Sequence, residues 1–332
     1  TAPRRSPPGS AASCRASPAS TTAASSSSRP PPTTRCPWRG SCTSGCAPRA
    51  VPAPWAWRRP PRARATWPDR ACAPALATIL VGDDAASAVY VANKRRAIRE
   101  AGLRDVHRAL PADASQDEVA ATVDALAADP SVAGILLQLP LPAGLDAAAL
   151  IERIPAHKDV DGLTTSSVGL LTRAQEGLRP CTPAGVIELL DDAGVEIAGA
   201  RAVVVGHSQL VGRPLAQLLV QRHATVTIAH ERTKDLPSVT READILVVAA
   251  GVPGLIGAEH VKPGAVVIDV GIHHTDDGLV GDVRAGELQG VAAQITPVPG
   301  GVGPMTIAML LVNTLRAATS AQDIEAGAQS WP

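Results

Sequence analysis

The 332-residue chain contains no phenylalanine, a single tyrosine and only four lysines. It has no apolar run of roughly eighteen residues, which excludes a transmembrane helix. Four of its six cysteines precede residue 71; the other two, Cys72 and Cys181, lie far apart without partners at motif spacing. That excludes a disulfide framework in the body and fits a reducing cytoplasm. Internal repeats are absent, and the formal net charge is zero. The zero hides an asymmetry. Up to Arg70 there are twelve arginines, no lysine and one acid, Asp69, whereas the remainder holds nineteen basic and thirty acidic residues.

Residues 1–72, with runs such as TTAASSSSRPPPTT and WRRPPRARA, carry almost no Leu, Ile or Val and no helical or strand period. Such a segment cannot bury enough apolar surface to offset chain entropy, and disorder is expected. An Arg- and Ser-rich, acid-poor leader resembles an organelle transit peptide, but an amphipathic helix is missing. A basic, Trp-containing arm could bind nucleic acid, yet nothing in the body supports that. Cys36, Cys42 and Cys46 are irregularly spaced and lack a companion His, so no metal is expected. The preferred reading is a segment foreign to the native protein, such as a wrong start or frame in GC-rich DNA.

From Leu76 onward short apolar runs alternate with longer amphipathic stretches. LATILVG, DVHRAL and AGILLQLPLP read as strands, separated by helices over Asp84–Ala101 and Gln116–Ala127. After the loop HKDVDG, CTPAGVIELLDDAG reads as a helix with Thr182 as N-cap and Pro183 at its first position. RAVVVG, ATVTIAH, DILVVAAG and GAVVIDVG are further strands, with a helix near Val211–Arg222 and a last one from Pro304 to about Ala318. Continuous rather than alternating apolar strands predict parallel sheets covered on both faces, an α/β fold. The expected organisation is a catalytic domain over 73–180, completed by 296–318, a Rossmann-like domain over 181–295, and a tail over 319–332.

Four stretches could carry chemistry. Tyr90 lies four residues before Lys94, so on a helix the phenol and the ammonium share a face; a solvated helix face is the bland alternative. VVVGHSQLVGRP places Gly206, His207, Ser208 and Gly212 in a turn from strand to helix, where backbone N–H groups can meet a pyrophosphate. Glu231, about twenty to twenty-five residues on, stands where a ribose-binding carboxylate is expected. TPVPGGVGPMT sets three glycines between prolines before a helix, a loop that a ligand approaches closely. LLQLPLP ends a buried strand on Gln138, and KDVDG puts Asp159 and Asp161 in a neighbouring loop; taken singly, these read as capping or turn residues.

Together GDDAASAVYVANKRRA, GILLQLPLP, KDVDG, VVGHSQLVGRPLA and PVPGGVGPMTIAMLL resemble, in this order, the bifunctional methylenetetrahydrofolate dehydrogenase/cyclohydrolase family of the FolD type. The resemblance covers about Pro74 to Ala317. It implies two domains flanking a cleft, usually in a homodimer. It also implies oxidation of 5,10-methylenetetrahydrofolate with NAD(P)⁺, then hydrolysis to 10-formyltetrahydrofolate. Lys94 matches the family's catalytic lysine, held by Gln138; Tyr90 lines the folate pocket; Asp161 matches the acid that grips the pterin-like ring. Pro299, Gly300, Gly301 and Val302 fall in the substrate loop; Gly206, His207, Ser208, Gly212 and Glu231 fall at the nucleotide. No membrane or nucleic-acid partner and no metal are implied.

Two departures accompany the match. The family's first helix has no counterpart read in residues 1–72. His207 and Glu231 stand where the family commonly has Arg and Ser, the residues that greet the 2′-phosphate of NADP. Family habit therefore points to NADP, while Glu231 favours the ribose of NAD. The spacing Tyr90-x-x-x-Lys94 also fits a short-chain dehydrogenase, but there the nucleotide loop precedes the Tyr/Lys pair. An inactive folate- or nucleotide-binding relic is the non-enzymatic rival.

Overall fold

The computed structural model describes residues 73–276 and 278–328, so the expectations for residues 1–72 lie outside the described residues. Its first layer is a parallel sheet in the order β2-β1-β3. Strand β1 (Ala75–Val81) is central, β2 (Arg104–Leu110) and β3 (Val132–Leu137) flank it, and Ala77 pairs with both Val106 and Ile135. The apolar residues of β1 are buried on both faces, as its unbroken run requires.

Helix α1 (Ala85–Glu100) starts where the Asp84 carboxylate accepts the Ser87 N–H at 2.7 Å, and it stops before Gly102 at φ +83°. Arg95 and Arg99 both reach Asp105 on β2, fixing how the helix lies against the sheet. Helix α2 (Gln116–Ala128) is closed at its start by a Ser115/Glu118 capping box. At its end the buried Lys158 ammonium donates to the carbonyls of Ala127 and Asp129 at 2.8 and 2.7 Å. That places a cation on the helix's negative end. Short helices α3 (Ala147–Ile151) and α4 (Thr165–Thr172) bracket the loop that carries Asp159 and Asp161.

Helix α5 (Cys181–Asp192) corrects the capping expectation. Its N-cap is Pro180, without a side-chain bond, while the Thr182 hydroxyl lies inside the helix and meets that of Thr306 at 2.9 Å. Beyond it the strands β4 (Arg201–Val205), β5 (Thr225–Ala229), β6 (Ile245–Val248), β7 (Val266–Asp269) and β10 (Gln294–Ile295) form a parallel sheet. Their order is β10-β7-β6-β4-β5, with α6 (Gly212–Gln221) and α7 (Leu236–Thr240) in the crossovers. In chain sense this is the doubly wound 2-1-3-4-5 order, whose switch point falls between β4 and β6. The hairpin β8 (His273–Thr275) and β9 (Gly278–Val280) has no counterpart in the sequence reading, since three-residue strands are too short to show a period.

Helix α8 spans Val302–Ala328, two residues earlier and ten later than the periodicity suggested. The segment expected as a tail continues the helix to Ala328, although Thr319, Ser320, Asp323 and Gly327 are weak helix formers. Met305 and Val302 pack in the core of the second sheet, while Met309 and Leu310 pack with Leu76, Ile98, Leu136 and Val160 of the first. The last helix thus belongs to both cores. Each fully buried Leu or Ile there contributes about 1.5–3 kcal/mol. Among the described residues no helix is long and apolar enough to cross a membrane.

Candidate active site

The helical spacing of Tyr90 and Lys94 does what it promised. The Lys94 ammonium lies 4.7 Å from the Tyr90 ring centroid and donates to Gln138 Oε1 at 3.0 Å. Lys94 is 5% exposed and Gln138 8%, which makes this a polar contact inside a nearly dry wall. The Gln138 amide is itself oriented, its Nε2 donating to Leu139 O at 2.6 Å. Tyr90, Lys94, Gln138 and Asp161 line one cavity of about 170 Å³, together with Cys181, Thr182 and Thr306.

The electrostatics follow from burial. Desolvation holds the Lys94 amine below the usual lysine range, with the Asp161 carboxylate opposing that shift. Desolvation pushes Asp161 up, and Lys94 and a hydrogen bond with Cys181 pull it back. The Tyr90 phenol is pushed up by burial and then by the charge of Asp161. The Cys181 thiol is pushed well up by burial and then by Asp161, so it stays protonated. Burial thus draws the amine and the carboxyl toward their neutral forms, which suits them to passing protons.

The glycine loop occupies the adjoining space. Pro299, Gly300, Gly301 and Val302 line a second, largely apolar cavity of about 470 Å³, and Tyr90 forms part of both walls. Gly301 has no room for a side chain, because a Cβ would lie 2.6 Å from Pro297 O. The predicted substrate residues therefore line two chambers that share Tyr90, one small and carrying Lys94 and Asp161, one larger and more apolar.

The switch point of the second sheet carries the nucleotide residues. Gly206, His207, Ser208 and Glu231 line a cavity of about 560 Å³ with Ala249 and Ala250 from the end of β6. Gly206 sits at φ +118°, and a Cβ there would lie 2.1 Å from Ala249 O. Gly212 is not part of that cavity's wall. It lets α6 approach β4, since its Cβ would fall 2.0 Å from Gly206 O. Ser208 serves the turn as well, accepting the Val211 N–H at 3.2 Å. A tight glycine turn at a helix start and a carboxylate two residues beyond the next strand fit a dinucleotide. Leu210 and Val211 of the same loop line the small cavity beside Lys94, so the loop borders both cavities.

Three residues escaped the sequence reading. Cys181, noted only as partnerless, donates its thiol to Val160 O at 3.2 Å beside Asp161. Asn313 on α8, fully buried, donates its amide to Val160 O and Arg179 O, both at 2.8 Å. Thr306 faces Thr182 across the cavity. Their partners lie far away in sequence, and no local pattern announces them.

Residues 61–161 match the catalytic domain of tetrahydrofolate dehydrogenase/cyclohydrolase, and 180–322 match the NAD(P)-binding domain of the same enzyme. The first match reaches back into the segment that composition marked as foreign. Bifunctional protein FolD 2 of Frankia alni is 66% identical over 251 residues, covering 76% of this chain and 87% of that one. Bifunctional protein FolD of Parasynechococcus marenigrum is 57% identical over 243 residues, covering 73% and 83%. The crystal structure of the FolD enzyme from Campylobacter jejuni superposes with a TM-score of 0.73 at 46% identity, over 74% of this chain and 88% of that one. The Trypanosoma brucei enzyme, solved with NADP and an inhibitor, gives 0.72 at 42% identity over 74% and 87%. A lysine held by a strand-end glutamine, a glycine loop opening the last helix and a nucleotide turn at the sheet's switch point thus occur in a chain that both domain matches cover, and the chain belongs to the tetrahydrofolate dehydrogenase/cyclohydrolase family.

Proposed function

We propose that this chain oxidises 5,10-methylenetetrahydrofolate to the 5,10-methenyl form and hydrolyses that product to 10-formyltetrahydrofolate. The observation that carries the reading is the buried Lys94–Gln138 contact over Tyr90, in a cavity shared with Asp161. NAD(P)⁺, when bound, accepts the hydride from the methylene carbon. Gly206, Ser208 and the start of α6 would hold the pyrophosphate, and the Pro299–Val302 loop would hold the folate against Tyr90. The first reaction moves a hydride and no proton, so positioning is what the chain must supply.

In the second reaction a water oxygen bonds to the cationic methenyl carbon. Lys94, its amine made available by desolvation, takes a proton from that water and returns one to N5 as the C–N5 bond breaks; one proton is released overall. Gln138 keeps the amine aimed, and Asp161 grips the pterin-like ring. General acid–base help of this kind contributes about 10²–10⁴-fold. The chain works as a homodimer, a reading supported by edge strand β5 and helix α6, where Ile228 is 40% and Val220 53% exposed.

The test is a single-cuvette assay. With methylenetetrahydrofolate and nucleotide, methenyl absorbance and reduced nucleotide should rise together, and methenyl should then fall faster than in enzyme-free buffer. Reduced nucleotide without accumulating methenyl would mean that hydrolysis keeps pace with oxidation, whereas the absence of both signals would favour the short-chain-dehydrogenase or the relic reading.

A further inference from the structure

The nucleotide cavity contains a charge arrangement that the two reactions do not explain. Glu231 lies two residues beyond the end of β5, and its carboxylate lies 3.8 Å from His207 Nδ1 across the mouth of the Gly206 turn. The His207 ring in turn touches that of His230, with centroids 4.9 Å apart. His230 is held from behind: its Nδ1 accepts the Arg232 N–H, and its own N–H goes to Thr233 Oγ1 at 2.9 Å. A hydrogen bond from its own backbone, then His207, His230 and Arg232, hold the Glu231 carboxyl below the usual range. The edge where a ribose would present its 2′ position is therefore occupied by an ionised acceptor leaning on an imidazole.

Of the two arginines that could reverse this, Arg232 adjoins Glu231 and helps to lower its pKa without entering the cavity wall. Neither Arg213 nor Arg232 lines the cavity, and both are exposed. An imidazole cannot replace the planar fork with which arginine binds a phosphate through two parallel hydrogen bonds.

Resting on the nucleotide reading above, we infer that Glu231, steadied by His207, makes this enzyme choose NAD over NADP. The carboxylate accepts the ribose 2′-hydroxyl, and the same carboxylate repels a 2′-phosphate. Specificity by repulsion needs no gain in affinity for the chosen ligand. Because Glu231 is exposed, salt screens the effect, and the expected preference is about tenfold rather than thousandfold.

The experiment measures dissociation constants for NADH and NADPH by nucleotide fluorescence, alongside kcat/KM for NAD⁺ and NADP⁺. The unaltered chain should bind NADH about tenfold more tightly than NADPH at low salt, with the gap narrowing as salt rises. Glu231→Ser should erase most of that gap, and the double variant Glu231→Ser/His207→Arg should invert it. A preference for NADPH in the unaltered chain, or a ratio unmoved by Glu231→Ser, overturns the inference and leaves the nucleotide site intact. Failure to bind either nucleotide overturns the site itself.

Discussion

Lys94 is costly to keep where it is. Burying an ammonium disfavours its charged form, and one hydrogen bond to Gln138 plus the Tyr90 face offset only part of that cost. The amine thereby holds its proton less tightly than an exposed lysine does, as suits a proton acceptor. The sign of its pH dependence follows. Hydrolysis of methenyltetrahydrofolate, corrected for the enzyme-free rate, should rise with pH through a midpoint below the ordinary lysine value of about 10.4. Asp161 raises the Lys94 pKa, so Asp161→Asn should move that midpoint down while weakening folate binding. A midpoint that stays put in Asp161→Asn would mean the two groups do not sense each other. At this scale the sequence was informative because Tyr90 and Lys94 obey a local rule, four residues apart on one helix. Cys181 and Asn313 were invisible, their shared partner Val160 lying 21 and 153 residues away.

Between residue and molecule, the loop from Lys158 to Thr164 shows how an element aims a side chain. Asp159, 1% exposed, accepts the N–H groups of Leu163 and Thr164 at 3.2 and 2.8 Å and the Ser167 hydroxyl at 2.7 Å. Reading it as a turn residue was correct, and its neighbour but one, Asp161, is left to face the cavity. Lys158 pins the other end of the loop to α2. Asp159→Ala leaves two buried N–H groups and a hydroxyl without their acceptor, which should cost about 2–4 kcal/mol in urea unfolding. It should also raise KM for the folate, because the loop carries Asp161. A loss below about 0.5 kcal/mol, with KM unchanged, would show that the loop is held by something else. The N-cap of α5 was misread for a related reason: Thr-Pro is a strong local start signal, but packing on α8 draws Thr182 toward Thr306 and begins the helix at Cys181.

For the molecule as a whole, two parallel sheets were legible because buried parallel strands are written as unbroken apolar runs. Their order was not, since nothing in a strand's own residues names its neighbour. The order is what makes the enzyme, because it places the Gly206 turn, Glu231 and Ala249 around one switch point. Helix α8 then carries the glycine loop against Tyr90 while packing into both cores. Through that helix the catalytic and nucleotide halves share one wall, which suits two consecutive reactions on one bound folate. The most direct test supplies methenyltetrahydrofolate to Lys94→Ala and follows its absorbance, with folate binding measured by an independent titration. Hydrolysis should fall to the enzyme-free rate while the folate still binds. Hydrolysis at the unaltered enzyme's rate would contradict the assignment of Lys94 as the proton carrier.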